Sequence, residues 1–355
     1  MYKFKEYNLS NFLLLFLKKK KIFFLLISLI IFFGGIRFSD INSLYQISLS
    51  NKIDNFFFPN QWLRYGVSGE FLYDSPLKIL LIRIIPSDKS LISILFLTIN
   101  LLPFIFLFKK NLFEKIFLIA IIIFSPIIKI LFLNIGTGDG LLVYLILFAF
   151  FSKKNYQIAI CFFVMGLWHP QQSFFIFFSY FISDYCLGRN FDKNKFIISL
   201  ISIFISFLVY IYFKEYLIDG VVGRVDILSA GYSSVLVRNL YYLLFVLLPV
   251  VLWFCIFYPI KIKYELLFFS WIVLLVTISL LVLDSTRVLM ITLLPMMCFT
   301  LKSNLSLPHV KINNFFIIIV VLLNIISPTI SWSGYDWILF YDLNRDLCNH
   351  YQICL

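Results

Sequence analysis

The stretch KKKKIFFLLISLIIFFGGIRFSD, residues 18–40, decides the fold class. Four consecutive lysines, Lys18 to Lys21, precede an apolar run from Ile22 to Phe33. Short, positively charged flanks stay on the cytoplasmic side of a membrane, so this pattern sets an orientation. The residues that follow, Gly34-Gly35-Ile36-Arg37, do not form a small-residue cleavage site. The segment therefore reads as a retained signal anchor. The rest of the chain has the same character: 355 residues, 61% hydrophobic, 14% charged and 44 Phe, with a mean hydropathy of +0.96. Such a chain has too little polar surface to cover a soluble globule. An all-α polytopic membrane protein is expected.

Working outward from residues 18–40, apolar stretches predict spans near 22–38, 91–108, 113–133, 139–152, 156–168, 171–185, 196–213, 239–260, 264–283, 287–301 and 314–332. That is about eleven transmembrane helices, within a range of 9–12. Residues 1–332 form one integral membrane domain with the N-terminus inside, and 333–355 form a short outer tail. The expected location is a bacterial cytoplasmic (inner) membrane. On this topology 18 of the 30 Lys and Arg lie inside with 5 of the 18 acids. The net charge of +12 then records insertion direction. Nucleic acid is not an expected partner, because spans interrupt the positive charges. The spans at 139–152, 156–168 and 171–185 are short for a crossing of roughly 20 residues. They read as thin, tilted or re-entrant helices, whose ends must be surrounded by protein or by a water-filled cavity.

The outer face carries the long loops, above all 39–90. There Ile41, Leu44, Tyr45 and Leu49 follow the spacing of an amphipathic helix, expected to lie flat at the interface. A second apolar piece, Leu77 to Ile85, is too short to span and is expected at the same interface. Asp40, where span one meets this loop, reads either as a helix-start acid or as a general base at headgroup level. In Asn134-Ile135-Gly136-Thr137-Gly138-Asp139-Gly140 the glycines allow close backbone approach, and Asp139 reads as a cap or as a site carboxylate. Trp168-His169-Pro170-Gln171-Gln172 holds more polar chemistry than a turn requires, which makes His169 and Gln172 candidates. Asp284-Ser285-Thr286-Arg287 reads as a local ion pair or as a phosphate contact, with Pro295 following in the same span.

Arginine is unevenly placed. Seven of eight Arg (37, 64, 83, 224, 238, 287 and 345) fall outside in this topology. The guanidinium fork binds phosphate and carboxylate bidentately, so Arg37, Arg64 and Arg287 suggest an anionic partner. No ionisable residue falls deep in a span, with Lys129 expected to snorkel from near a span end. Cys161, Cys186, Cys255 and Cys298 read as small core residues. Cys348 and Cys354 share the outer tail, where an oxidising compartment would permit a disulfide.

This layout resembles the GT-C superfamily of integral membrane glycosyltransferases. The resemblance rests on Asp40 after span one, the long outer loop, Asp139 in Gly138-Asp139-Gly140-Leu141-Leu142, the short spans that follow, and Arg287 before a helix containing Pro295. It implies transfer of a sugar from a polyprenyl-phosphate donor to a glycan or lipid-linked acceptor at the outer face. Asp40 would be the base, with Arg287, Arg37 and Arg64 near the leaving phosphate. Asp139, His169 and Gln172 would hold sugar hydroxyls, and Asp284 would accompany Arg287. The second acid that many members carry is replaced by Ile41, which leaves metal open: no cofactor is assigned, and a divalent cation is compatible. O-antigen and exopolysaccharide repeat-unit polymerases resemble the chain in composition, and a non-enzymatic transporter or assembly subunit is the third reading.

Overall fold

The computed structural model describes residues 7–8, 13, 18–34, 41, 44–45, 48, 75–109, 111–133, 135–187, 191–217, 247–248, 250–257, 262–280, 285–305, 311–312 and 318–323. They are helical apart from short connections and one two-residue ladder, β1 (Tyr7–Asn8) antiparallel to β2 (Lys311–Ile312). The helices whose bounds are described are α1 (Lys20–Gly34), α2 (Pro76–Ile84), α3 (Lys89–Leu101, continued as 3-10 helix to Phe108), α4 (Leu112–Phe124), α5 (Ile127–Leu133), α6 (Asp139–Phe151), α7 (Asn155–Trp168), α8 (Pro170–Leu187), α9 (Lys193–Leu217), α10 (Glu265–Leu280) and α11 (Ser285–Leu305), and residues 250–256 and 318–323 are helical as well. Nine of the apolar runs thus become helices close to their expected limits, whereas 239–260 and 314–332 lie largely outside the described residues. One run is divided: 113–133 breaks into α4 and α5 at Ser125-Pro126, where proline cannot donate the next helical hydrogen bond.

Two helical stretches of 20 residues, Lys89–Phe108 and Lys193–Tyr212, are long and apolar enough to cross a membrane. The α9 stretch exposes Ile197, Ile201, Phe204, Ile205 and Leu208. Soluble surfaces rarely carry a contiguous apolar patch of this kind.

Interhelical contacts set the direction of each element. Phe150 and Tyr180 both pack on Phe299, at ring separations of 5.1 and 5.2 Å. Trp168 donates from Nε1 to the Gly138 carbonyl at 3.1 Å, so the starts of α6 and α8 share one end. Consequently α6, α8 and α11 run parallel, with their N-terminal turns together. At the opposite end Asn155 bonds Asp192, Lys195 pairs with Asp184, and Tyr185 stacks on Tyr264.

The short helices end inside the protein. Gly166 of α7 touches Ser206 of α9, and α9 continues roughly 16 Å past that level at 1.5 Å per residue. Likewise α3 begins roughly 16 Å beyond Asn100, which contacts Gly140. Residues 135–140, Trp168 and Pro170 are buried. The ends of α6 and α7 are therefore covered by protein.

The 77–85 piece is a helix, and α2 packs on α7 and α9 with Ile79 and Ile82 buried. Two expectations change. Lys129 does not snorkel: it is 1% exposed within α5. Cys255 is exposed, whereas Cys161, Cys186 and Cys298 are buried as expected.

Candidate functional site

The site is built on the turn before α6. Gly138 adopts φ 65°, a left-handed conformation that glycine accepts without strain. A Cβ there would lie 2.5 Å from the Trp168 ring. Gly140 is tighter still, since a Cβ would meet Asn100 Cα at 2.3 Å and the Ile99 carbonyl at 2.4 Å. Asn100, fully buried, holds the turn to α3. Its Oδ1 accepts from the Gly140 N–H at 2.8 Å, and its Nδ2 donates to the Ile135 carbonyl at 2.9 Å. An orphan amide of the helix start is satisfied in this way.

Asp139 follows as the first residue of α6 and has no exposed surface. It does not cap its own helix. Instead Oδ2 accepts from Thr137 Oγ1 at 2.9 Å and lies 3.6 Å from Arg287 Nη1. Oδ1 is buried with no hydrogen-bond partner among the described residues. Arg287, in the first turn of α11, is 12% exposed and is the member of the pair nearer the surface. Asp284, the local partner expected of Arg287, lies outside the described residues.

Trp168 joins this cluster to the α7–α8 turn. Its ring lies against Phe96 and carries the Lys78 ammonium at 5.4 Å from the centroid. Ser75 Oγ donates to the Trp168 carbonyl. His169 is half-buried, and its backbone N–H donates to Met165 at 2.8 Å. Gln172, 5% exposed, sits in the first turn of α8 with neither amide atom hydrogen-bonded among the described residues.

Of the residues expected to form a site, Asp139 and Arg287 are therefore in contact. His169 and Gln172 flank the same end through Trp168. Asp40, Arg37, Arg64 and Asp284 lie outside the described residues. Asn100, Lys78 and Ser75 were missed by sequence reasoning. Asn100 interrupts an apolar run and Lys78 interrupts another, which is the signal that could have found them. Among the described residues no group of three or more His, Cys, Asp or Glu comes together to hold a metal.

Electrostatically, three parallel helix N-termini, each a partial positive charge, meet beside a buried carboxylate and a guanidinium. The arrangement suits an anion at Arg287 with polar groups next to it. No protein-family profile matches the chain, and no curated protein or solved structure matches it either.

Proposed function

We propose that this protein is an integral membrane glycosyltransferase of GT-C type. It moves a sugar from a polyprenyl-phosphate donor to a glycan or lipid-linked acceptor at the outer face of a bacterial cytoplasmic membrane. Its eleven-span topology has the N-terminus inside and the tail outside. The observation that carries this reading is the buried Asp139–Arg287 pair, recessed where the N-termini of α6, α8 and α11 meet. A guanidinium carries five N–H donors in a planar fork, a geometry that suits a phosphate as well as a carboxylate. The apolar faces of α3 and α9 support the membrane setting.

In this reaction the acceptor hydroxyl attacks the anomeric carbon, the bond from that carbon to the phosphate oxygen breaks, and the lipid phosphate leaves. Arg287 stabilises the charge that develops on the leaving oxygen. Asp40 is assigned the departing proton.

Transfer of labelled sugar from a polyprenyl-phosphate donor by the purified chain in lipid tests the assignment. Arg287→Ala is expected to lower the rate about 100-fold or more, as loss of one preorganised charge-stabilising donor does elsewhere. Unchanged transfer by a folded Arg287→Ala protein would sink the proposal. Absence of any transfer by the native chain would favour a non-enzymatic role, with the pair acting as a clamp between α6 and α11.

A further inference from the structure

We infer that the Gln172 amide is the recognition element for a vicinal pair of sugar hydroxyls, an assignment that rests on the glycosyltransferase reading. The amide is 5% exposed, yet neither Oε1 nor Nε2 has a hydrogen-bond partner among the described residues. Burying an amide unpaired is unfavourable, so its retention needs a reason.

Local structure does not supply one. Gln172 stands three residues after His169, the spacing at which a glutamine reaches back to the cap N–H. That N–H is already given to Met165 at 2.8 Å. The face of α8 is set by Ser179, seven residues on, which accepts from Trp271 of α10 at 2.9 Å. Gln172 shares that face by helical phase, which places it on the α10 side of α8.

Heights along the bundle agree. From the Phe150–Phe299–Tyr180 cluster, Asp139, Arg287 and Gln172 lie about 16, 18 and 12 Å along their helices. Gln172 is thus about one turn deeper than the ion pair. Asp139 Oδ1 is a second buried oxygen in want of a donor.

The chemistry then selects the ligand group. A phosphate only accepts hydrogen bonds, and a hydrocarbon chain does neither. An amide offers one donor and one acceptor side by side, which matches adjacent hydroxyls, one accepting and one donating. A further hydroxyl can donate to Asp139 Oδ1. The phosphate stays at Arg287, and the sugar reaches below it.

The test uses the full-length protein in detergent with methyl glucoside, galactoside and mannoside, and with analogues lacking one hydroxyl. Binding is read by saturation-transfer NMR and folding by thermal unfolding. Gln172→Leu is expected to melt at the same temperature or higher, because an apolar group of similar shape replaces an unpaired amide. It is expected to bind the preferred glycoside at least about tenfold more weakly, and the deoxy analogue is expected to fail on the native protein in the same way. Loss of folding in Gln172→Leu would mean that the amide has a structural partner and would overturn the assignment. Equal binding by Gln172→Leu, or no glycoside bound by the native chain, would overturn it as well. Gln172-dependent binding without any transfer would refute the enzymatic reading alone, and transfer without Gln172-dependent binding would refute this one alone.

Discussion

At the scale of single residues, the cluster around Asp139 depends on two absences of side chain. A Cβ at Gly140 has only backbone to collide with, whereas one at Gly166 meets the Ser206 side chain, its Oγ at 1.8 Å. Gly140→Ala is expected to cost about 3 kcal/mol and to break the Asn100 clamp, whereas Gly166→Ala costs less because a side chain can shift further than a backbone. Thermal unfolding of the two variants side by side checks the order. Asp139→Asn leaves Arg287 facing an uncharged partner, and breaking a buried pair in this way costs about 3 kcal/mol. A double-mutant cycle with Arg287→Met should return a coupling of about 1 kcal/mol or more. A coupling near zero would show that the 3.6 Å contact carries no energy. The glycines' role in close approach was legible from Gly136-Thr137-Gly138-Asp139-Gly140. Their obstacles, Trp168 and Asn100, were not, because no local pattern links residues that far apart.

At the scale of elements, helices α6 and α7 are short because their ends at the 135–140 and 168–170 turns abut protein. Buried turns at 135–140 and 168–170 need internal hydrogen bonds, and Asn100, Trp168 and Ser75 provide them. At the other end of the bundle, α9 begins with a side-chain cap: Asp192 Oδ1 accepts from the Lys195 N–H at 3.0 Å. That hydrogen bond, first among several, holds the Asp192 carboxyl below its ordinary value of 3.8. A carboxylate with a lowered folded-state pKa stabilises above its unfolded pKa and loses that contribution as pH falls through the folded value. Asp192→Ala is expected to cost about 1 kcal/mol at neutral pH. Native and variant stabilities should converge in acid below that range, as read by unfolding at a series of pH values. The existence of each helix was readable from hydropathy. The division of 113–133 at Pro126 was readable too, had the proline been weighed against the length of the run.

At the scale of the whole molecule, the proposed topology assigns the two ends of the bundle to opposite sides of a membrane. Lys109, Lys153, Lys154 and Lys263, in turns, and Lys193, which starts α9, lie at one end, and the Asp139–Arg287 cluster lies at the other. The β1–β2 ladder joins the N-terminal segment to Lys311, two segments expected on the same side. Membrane-impermeant thiol reagents on intact cells should label Cys348 and Cys354 after reduction, and should not label a cysteine replacing Lys153. The reverse pattern would overturn the orientation. The all-helical class and the positions of the described helices followed from the sequence by itself, because long apolar runs must satisfy their backbone polar groups internally and helices do so locally. Which helices run side by side, that Lys129 is enclosed, and that the amide of Gln172 is buried without a partner among the described residues were decided only by the tertiary structure. Asp139 could be read from sequence as a helix cap, and only the packing of α6 against α11 brings it to Arg287. The physical reason is range: hydropathy and helical period act over a few turns of one chain segment, whereas an ion pair between distant segments depends on how whole helices pack.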